Sequence, residues 1–152
     1  MYRDPIHCKP RMPARTRKLS DADYERLADF RYALRCFLEF SESAAIREGL
    51  TPQQYQALLV IRSSPGANAT VRRLADRLRI KHNTAVELAQ RLEAGGLILR
   101  WQSPDDGRAL CLTLTDEGEA KLELLAQVHR AELRQLSPEI VALFQSLETG
   151  EA

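Results

Sequence analysis

The sequence has few cysteines and no apolar segment of membrane-spanning length. Its three cysteines, Cys8, Cys36 and Cys111, are widely spaced and form no Cys-x-x-Cys pair, which argues against a disulfide framework and a zinc site. The longest apolar runs, such as residues 57–61, are far shorter than the ~18 residues of a membrane helix. No apolar stretch follows the basic N-terminus as a secretory signal requires. We therefore expect reduced thiols, no membrane partner and a cytoplasmic location.

Residue groups typical of catalysis or metal binding are also missing. The sequence contains no glycine-rich phosphate loop, no Ser/His/Asp set and no nucleophile elbow. The histidines His7, His82 and His129 lie in separate segments, and none has a second histidine or cysteine three or four residues away. We therefore expect no metal site, no cofactor and no enzymatic activity.

Charged residues are nearly balanced in number but unevenly distributed. The 152 residues are 44% hydrophobic and 28% charged with a net charge of +1, which is the composition of one globular domain. Residues 70–110 contain eight basic and five acidic side chains, whereas residues 111–152 contain three basic and eight acidic ones. A basic middle segment predicts one local face for a polyanion, although charges scattered for solubility would give the same count.

Helix signals predict a mainly α-helical single domain over residues 20–149, preceded by a flexible basic N-terminal arm at residues 1–19. We expect Ser20 or Asp21 to cap a first helix that ends at Gly49 and carries two neighbouring apolar faces. A helix of roughly 28 residues is about 42 Å long, more than so small a domain easily covers. The remaining apolar surface therefore predicts a partner chain.

The middle of the chain, residues 51–114, combines three helices with a β-hairpin. Thr51 and Thr70 are predicted helix caps, the helix after Thr70 ends at Leu78, and a third helix covers residues 82–94. The predicted buried side of the helix after Thr51 consists of Tyr55, Leu58, Leu59 and Ile61. Two strand-like segments follow, separated by the turn sequence SPDDG: residues 97–101 and 109–114.

The C-terminal segment predicts two more helices. Residues 115–118 open a long helix, and Ser137-Pro138-Glu139 opens a last one. The apolar positions of the last helix are Ile140, Leu143, Phe144 and Leu147. The whole pattern predicts about six helices and a β-hairpin wing, with dimerisation through the terminal helices.

Two short helices joined by a tight turn and followed by a hairpin form a winged helix-turn-helix, in which the second helix enters a DNA major groove. Residues 82–94 have the required apolar underside and short polar side chains on the outer side. A protein-interaction adapter without DNA binding would show the same underside. Basic residues on one side favour DNA over that alternative: Arg72, Arg73, Lys81 and Arg108.

In order and spacing, several motifs resemble those of the MarR family of bacterial transcription regulators over about residues 20–149. The motifs are LTPQQY at residues 50–55, LADRL at 74–78, RLEAGGLI at 91–98, PDDGRA at 104–109 and LTLTDEG at 112–118. The resemblance implies a homodimer that represses by binding a pseudo-palindromic operator and is released by a small-molecule effector. It also implies that residues 51–114 bind DNA and that residues 20–49 and 115–149 form the dimerisation helices.

The resemblance further implies which residues contact DNA. The family's wing carries an aspartate, one residue and an arginine, matched here by Asp106, Gly107 and Arg108; the arginine enters a minor groove and the aspartate orients it. An Asp-Gly turn beside a solvated arginine is the alternative. The residues expected to contact double-stranded DNA are Arg72, Arg73, Lys81, His82, Asn83, Thr84, Glu87, Gln90, Arg91, Arg100, Asp106 and Arg108.

Some positions depart from the family pattern. Arg79 stands where the turn between the helices often has glycine, and Trp101 stands where a basic residue is frequent, so we expect Trp101 to pack on the strands. Glu87 lies on the outward face of the recognition helix, where it would repel phosphate. It either accepts a hydrogen bond from a cytosine amino group or pairs with Arg91; otherwise this helix binds DNA weakly.

A thiol-based redox-sensing regulator is a further alternative. Some MarR-like proteins hold a peroxide-sensing thiol near tyrosines in the region of the first helix, where this chain has Cys36 with Tyr24 and Tyr32 nearby. Cys8 lies in the N-terminal arm. A buried and inert Cys36 would carry no such function.

Overall fold

The computed structural model describes residues 18–64 and 66–148, so Cys8, His7 and nearly all of the N-terminal arm lie outside the described residues. In chain order the elements are α1 (Asp21–Arg47), α2 (Pro52–Arg62), a 3₁₀ turn (Gly66–Asn68), α3 (Val71–Leu78), α4 (His82–Ala94), β1 (Ile98–Gln102), β2 (Leu110–Leu114) and α5 (Asp116–Glu148). This order confirms the predicted helical fold with a hairpin wing. Across the described ranges, no helix combines the length and the apolarity that crossing a membrane requires.

The first two helices begin at capping boxes. The Ser20 hydroxyl accepts a hydrogen bond from the backbone N–H of Asp23 at 3.3 Å, and the Asp23 carboxylate accepts one from the Ser20 N–H at 2.9 Å. Thr51 and Gln54 repeat the arrangement at the start of α2. These reciprocal bonds satisfy N–H groups that have no partner within the helix. Of the two predicted caps for α1, the structure therefore selects Ser20.

The C-terminal helix is longer than predicted. Instead of a separate helix opening at Ser137, α5 continues through Pro138 to Glu148. Proline removes one N–H from the helical ladder, but the turns on both sides keep theirs. Ser-Pro-Glu is also a good helix start, which is why the sequence indicated a boundary. The described residues thus contain five α-helices rather than about six.

The winged-helix core is built from α2, α3, α4 and the hairpin. Its least exposed large side chains are Leu58, Leu74, Leu88, Leu92, Ile98 and Leu112. The predicted underside of α4 is confirmed, since Ala85, Leu88, Ala89 and Leu92 are all buried. In α2 one prediction was wrong: Leu59 is 39% exposed, whereas Ala57 is fully buried. Tyr55, Leu58 and Ile61 face the core as predicted, and the fourth buried residue of α2 is Ala57 rather than Leu59.

The hairpin is antiparallel, with Ile98 opposite Leu114 and Gln102 opposite Leu110. The other edge of β2 pairs with the segment before α3, because the Leu112 N–H donates to the Ala69 carbonyl oxygen at 2.7 Å. The start of α5 presses closely on the base of the hairpin. A Cβ at Gly118 would collide with the Leu97 carbonyl group, so this position requires glycine.

Helices α1 and α5 pack against each other and leave apolar side chains exposed along both helices. We refer to these side chains together as the terminal-helix face. They are each more than a third exposed: Tyr24, Leu27, Leu34 and Leu38 of α1 and Leu124, Val128, Leu133 and Val141 of α5.

Candidate nucleic-acid interface

The turn between α3 and α4 depends on a left-handed residue. Arg79 has φ 58° and ψ 39°, which is the conformation for which helix C-termini usually use glycine. The Ile80 N–H then donates to the Ala75 carbonyl oxygen at 3.0 Å, and Ile80 packs against the core. The departure from glycine noted in the sequence therefore does not change the turn. Arg79 adopts the strained conformation at a cost of about 1 kcal/mol.

The outer side of α4 is polar and open. The exposed side chains on this side are those of His82, Asn83, Glu87, Gln90 and Arg91, together with the N-cap residue Lys81. Thr84 is half-buried. Val86 is half-buried and packs against the core. Lys81 makes no side-chain hydrogen bond to the helix that it precedes. Within residues 66–148 no ion pair joins Glu87 to Arg91, so the predicted alternative of such a pair is not realised.

The start of α3 brings basic side chains to one surface. Thr70 caps the helix by accepting from the Arg73 N–H at 3.1 Å. The Arg73 Nε donates to the hydroxyl of the buried Ser64 at 2.8 Å, which fixes the stem of this half-buried arginine. Arg72 and Arg77 are exposed beside it around a shallow depression.

The tip of the wing is shaped by Asp106. Its carboxylate accepts from the backbone N–H of Arg108 at 3.0 Å, and its carbonyl oxygen accepts from the Ala109 N–H at 2.9 Å. Ser103 closes the turn, since its N–H donates to the Ala109 carbonyl oxygen at 3.1 Å. Asp106 therefore positions Arg108 through the backbone, and the Arg108 side chain is exposed.

Arg100 and Trp101 on β1 are both engaged within the protein. The Arg100 guanidinium forms an ion pair with Glu93 of α4, and its Nε lies 2.6 Å from Glu93 Oε2. Hydrogen bonding from Arg100 lowers the pKa of the Glu93 carboxyl group. The Trp101 Nε1 donates to the Thr113 hydroxyl at 2.9 Å across the hairpin, which confirms the predicted packing role. The charge of Arg100 is thus already paired within the protein.

Two features of this region were missed by the sequence analysis. Ser64 holds Arg73, and Glu93 holds Arg100. The only sequence signal for the second pair is opposite charge across the Gly95-Gly96 turn, which fixes no direction for either side chain. The first pair joins residues on different elements and leaves no local signal.

The thiols occupy two different environments. Cys111 is buried, and burial raises its pKa. Cys36 is half-buried on α1, one turn from Tyr32, and a hydrogen bond with Cys36 raises the pKa of the Tyr32 hydroxyl. The structure thus brings Tyr32 to Cys36, as the redox hypothesis expects. Across the described ranges, no three side chains of metal-ligating type come together.

An α3–α4 pair with a buried underside, an open outer face and an adjoining hairpin defines a winged helix-turn-helix protein. The model of the MarR family matches residues 48–109, which cover this unit from the end of α1 to the wing. Over these residues the chain therefore matches the MarR family.

Individual relatives agree with this assignment. The chain is 34% identical over 99 residues to a transcriptional regulatory protein for the hcr operon of Thauera aromatica, covering 65% of this chain and 57% of that protein. It is 34% identical over 77 residues to the HTH-type transcriptional repressor MdtR of Bacillus subtilis, covering 51% of this chain and 48% of that protein. The matched stretches thus span about half the length of these relatives.

The fold is shared over a longer range. A crystal structure of the MarR family transcription regulator SP03579 superposes with a TM-score of 0.71 and 27% identity, over 85% of this chain and 87% of that chain. All three proteins are named as transcriptional regulators or repressors.

Proposed function

We propose that this protein is a sequence-specific DNA-binding transcriptional regulator of the cytoplasm that acts as a homodimer. The observation that carries the proposal is the double character of α4. One side consists of the buried residues Ala85, Leu88, Ala89 and Leu92. The other side is polar, exposed and free of large apolar groups. A helix held rigidly from beneath and lined with short polar side chains above fits a major groove.

Within this proposal the contact residues divide into three groups. Base edges are read from the outer face of α4 by His82, Asn83, Thr84, Glu87 and Gln90. Phosphates are held by cations, which supply affinity without sequence preference: Arg72, Arg73, Lys81 and Arg91. Arg108 enters a minor groove, where a weakly hydrated guanidinium meets concentrated negative potential, and Asp106 fixes the backbone that carries it.

The terminal-helix face supports the homodimer. Exposed apolar patches of this extent on a small protein mark interaction sites. A second copy would cover the face by two-fold symmetry, with α1 and α5 of each chain as the dimerisation helices. The same symmetry would present two recognition helices to the two halves of a pseudo-palindromic operator.

Repression is the direction we propose for the regulation. A dimer that covers a promoter excludes other proteins from it, and one relative is named as a repressor. A small-molecule effector bound between the dimerisation helices and the winged helix would release the dimer by changing the spacing of the two recognition helices.

Binding to DNA is tested by titrating the dimer against the intergenic DNA next to its own gene and against random DNA of equal length, at fixed salt. The proposal expects at least about a 1,000-fold preference for one site. Equal affinity for all sequences would favour a role without an operator. No affinity for any DNA would favour the winged-helix adapter that binds only proteins.

The contact between Cys36 and Tyr32 favours one second candidate, a thiol-based redox sensor. In that case organic hydroperoxide should release the protein from DNA, and Cys36→Ser should abolish the release. Cys111→Ser is the matched control, because Cys111 is buried.

A further inference from the structure

Both carboxylate oxygens of Glu93 contact one residue of the wing, Arg100. Oε1 accepts from the backbone N–H of Arg100 at 3.2 Å, and Oε2 lies 2.6 Å from Arg100 Nε and 2.5 Å from Nη2. Glu93 lies in the last turn of α4, and Arg100 is the third residue of β1. The pair therefore connects the recognition helix directly to the wing strand.

This connection completes the fixation of the hairpin. The inner edge of β1 pairs with β2, and the outer edge of β2 is held by the Leu112 N–H bond to Ala69. Glu93 accepts a hydrogen bond from the backbone N–H of Arg100, which points away from β2. Each strand of the wing is therefore bound on both of its edges.

The pair is also better protected than the ion pair between Arg62 and Glu119. The side chains of Arg100 and Glu93 are 26% and 34% exposed, against 65% and 50% for Arg62 and Glu119. Because Glu93 accepts from both the guanidinium and the backbone N–H of Arg100, the contacts fix the direction of the pair as well as its distance. Such a pair can set an angle between two elements.

We propose that Arg100 is a positioning residue that, together with Glu93, sets the angle of the wing relative to α4 so that Arg108 reaches the minor groove while α4 lies in the major groove. The inference rests on the proposed DNA-binding function. The pair acts on DNA through Arg108, at the far end of the hairpin. Arg100 is then no direct phosphate ligand, and its charge contributes to affinity only by way of the wing tip.

A direct phosphate contact by Arg100 makes the opposite prediction for one substitution. Glu93→Gln keeps the shape of the side chain but removes its charge. If Arg100 holds the wing, Glu93→Gln loosens the pair and weakens operator binding, by about three- to tenfold. If Arg100 binds phosphate, the same substitution frees its guanidinium and tightens binding to all DNA. Tighter binding would therefore overturn the proposal.

A double-mutant cycle with Arg108 provides the second test. Arg108→Ala should weaken operator binding by about 5- to 150-fold. Arg100→Ala should weaken it as well, but adding Arg100→Ala to Arg108→Ala should cost less than about twofold more, because the wing contact is already lost. Effects that multiply would overturn the proposal. Should Arg100→Ala fail to fold, the cycle of Glu93→Gln with Arg108→Ala answers the same question.

Glu119→Gln is the matched control. It breaks the exposed ion pair between α2 and α5 and should leave DNA affinity unchanged. The two proposals fail in different ways. If neither Arg108→Ala nor any substitution on α4 changes DNA affinity, the proposed function is wrong. If the α4 substitutions weaken binding while Arg108→Ala does not, DNA binding stands and the positioning role is wrong.

Discussion

The imidazole ring of His129 stacks on the phenol ring of Tyr55, with centroids 4.5 Å apart and planes 18° from parallel. His129 Nδ1 lies 2.5 Å from the Leu125 carbonyl oxygen, and Nε2 lies 2.7 Å from the Ser41 hydroxyl. Because a carbonyl only accepts, Nδ1 donates to it, while Nε2 forms a hydrogen bond with the Ser41 hydroxyl. One buried side chain of α5 thus joins α1 and α2, and through α2 the winged helix.

Replacing His129 should therefore destabilise the whole chain. His129→Ala removes a buried ring and both of its hydrogen bonds, and we expect the free energy of unfolding to fall by about 2–5 kcal/mol. His82→Ala is the matched control, because His82 is exposed on α4. Urea denaturation followed by circular dichroism measures both. A loss below about 0.5 kcal/mol for His129→Ala would show that this junction contributes little.

Tyr55 gives a prediction for alkaline pH. Burial raises the pKa of its hydroxyl above the ordinary value of 10.0. Above pH 10 the unfolded chain therefore loses this proton while the folded chain retains it, so the stability from this group is present below pH 10 and decreases as the pH rises further. Tyr55→Phe should flatten this decrease in chemical denaturation measured at a series of pH values. Tyr24→Phe, at a 59% exposed tyrosine, should follow the wild-type curve.

How far the sequence predicts this structure depends on the range of the signal. The bounds of α4 were predicted correctly because the apolar period and the Gly95-Gly96 stop are both local. The course of α5 through Pro138 was not predicted, since a proline preceded by serine has the same local pattern at a helix start and inside a helix. The pairing of Arg100 with Glu93 depends on how the turn after α4 closes, which composition does not encode. Arg100 therefore looked like one more exposed cation.

The terminal-helix face should hold two copies of the chain together. Leu34→Glu places a charge on an apolar side chain of α1 that is 45% exposed, and in a dimer this charge would be buried without a partner. We expect sedimentation to show a dimer for the wild type at micromolar concentration and a monomer or unfolded chain for the variant. Leu99→Glu is the control, because Leu99 is an exposed leucine of β1, away from this face. A folded wild-type monomer at that concentration would contradict the dimer.

The outer face of α4 and the start of α3 should contribute to DNA binding in different ways. Base-edge contacts distinguish sequences, so Asn83→Ala and Gln90→Ala should weaken binding to the operator far more than binding to random DNA. Phosphate contacts do not distinguish sequences, so Arg72→Ala should weaken binding to the operator and to random DNA alike. It should also reduce the salt slope of log affinity by about one unit. Titrations at several salt concentrations measure both quantities. If neither class of substitution changes DNA affinity, α4 is not the recognition helix.

Glu87 is the decisive position on this face, because it is an exposed carboxylate where cations are expected. If Glu87 only repels phosphate, Glu87→Gln should tighten binding to all DNA alike. If it accepts a hydrogen bond from a cytosine amino group, the same substitution should reduce discrimination at one base pair of each half-site, by about 1–3 kcal/mol. We expect the second result, since no ion pair within residues 66–148 occupies the Glu87 carboxylate. Selection from a pool of randomised operators, with wild type and variant in parallel, separates the two. A variant that selects the wild-type sequence with higher affinity would assign Glu87 to repulsion alone.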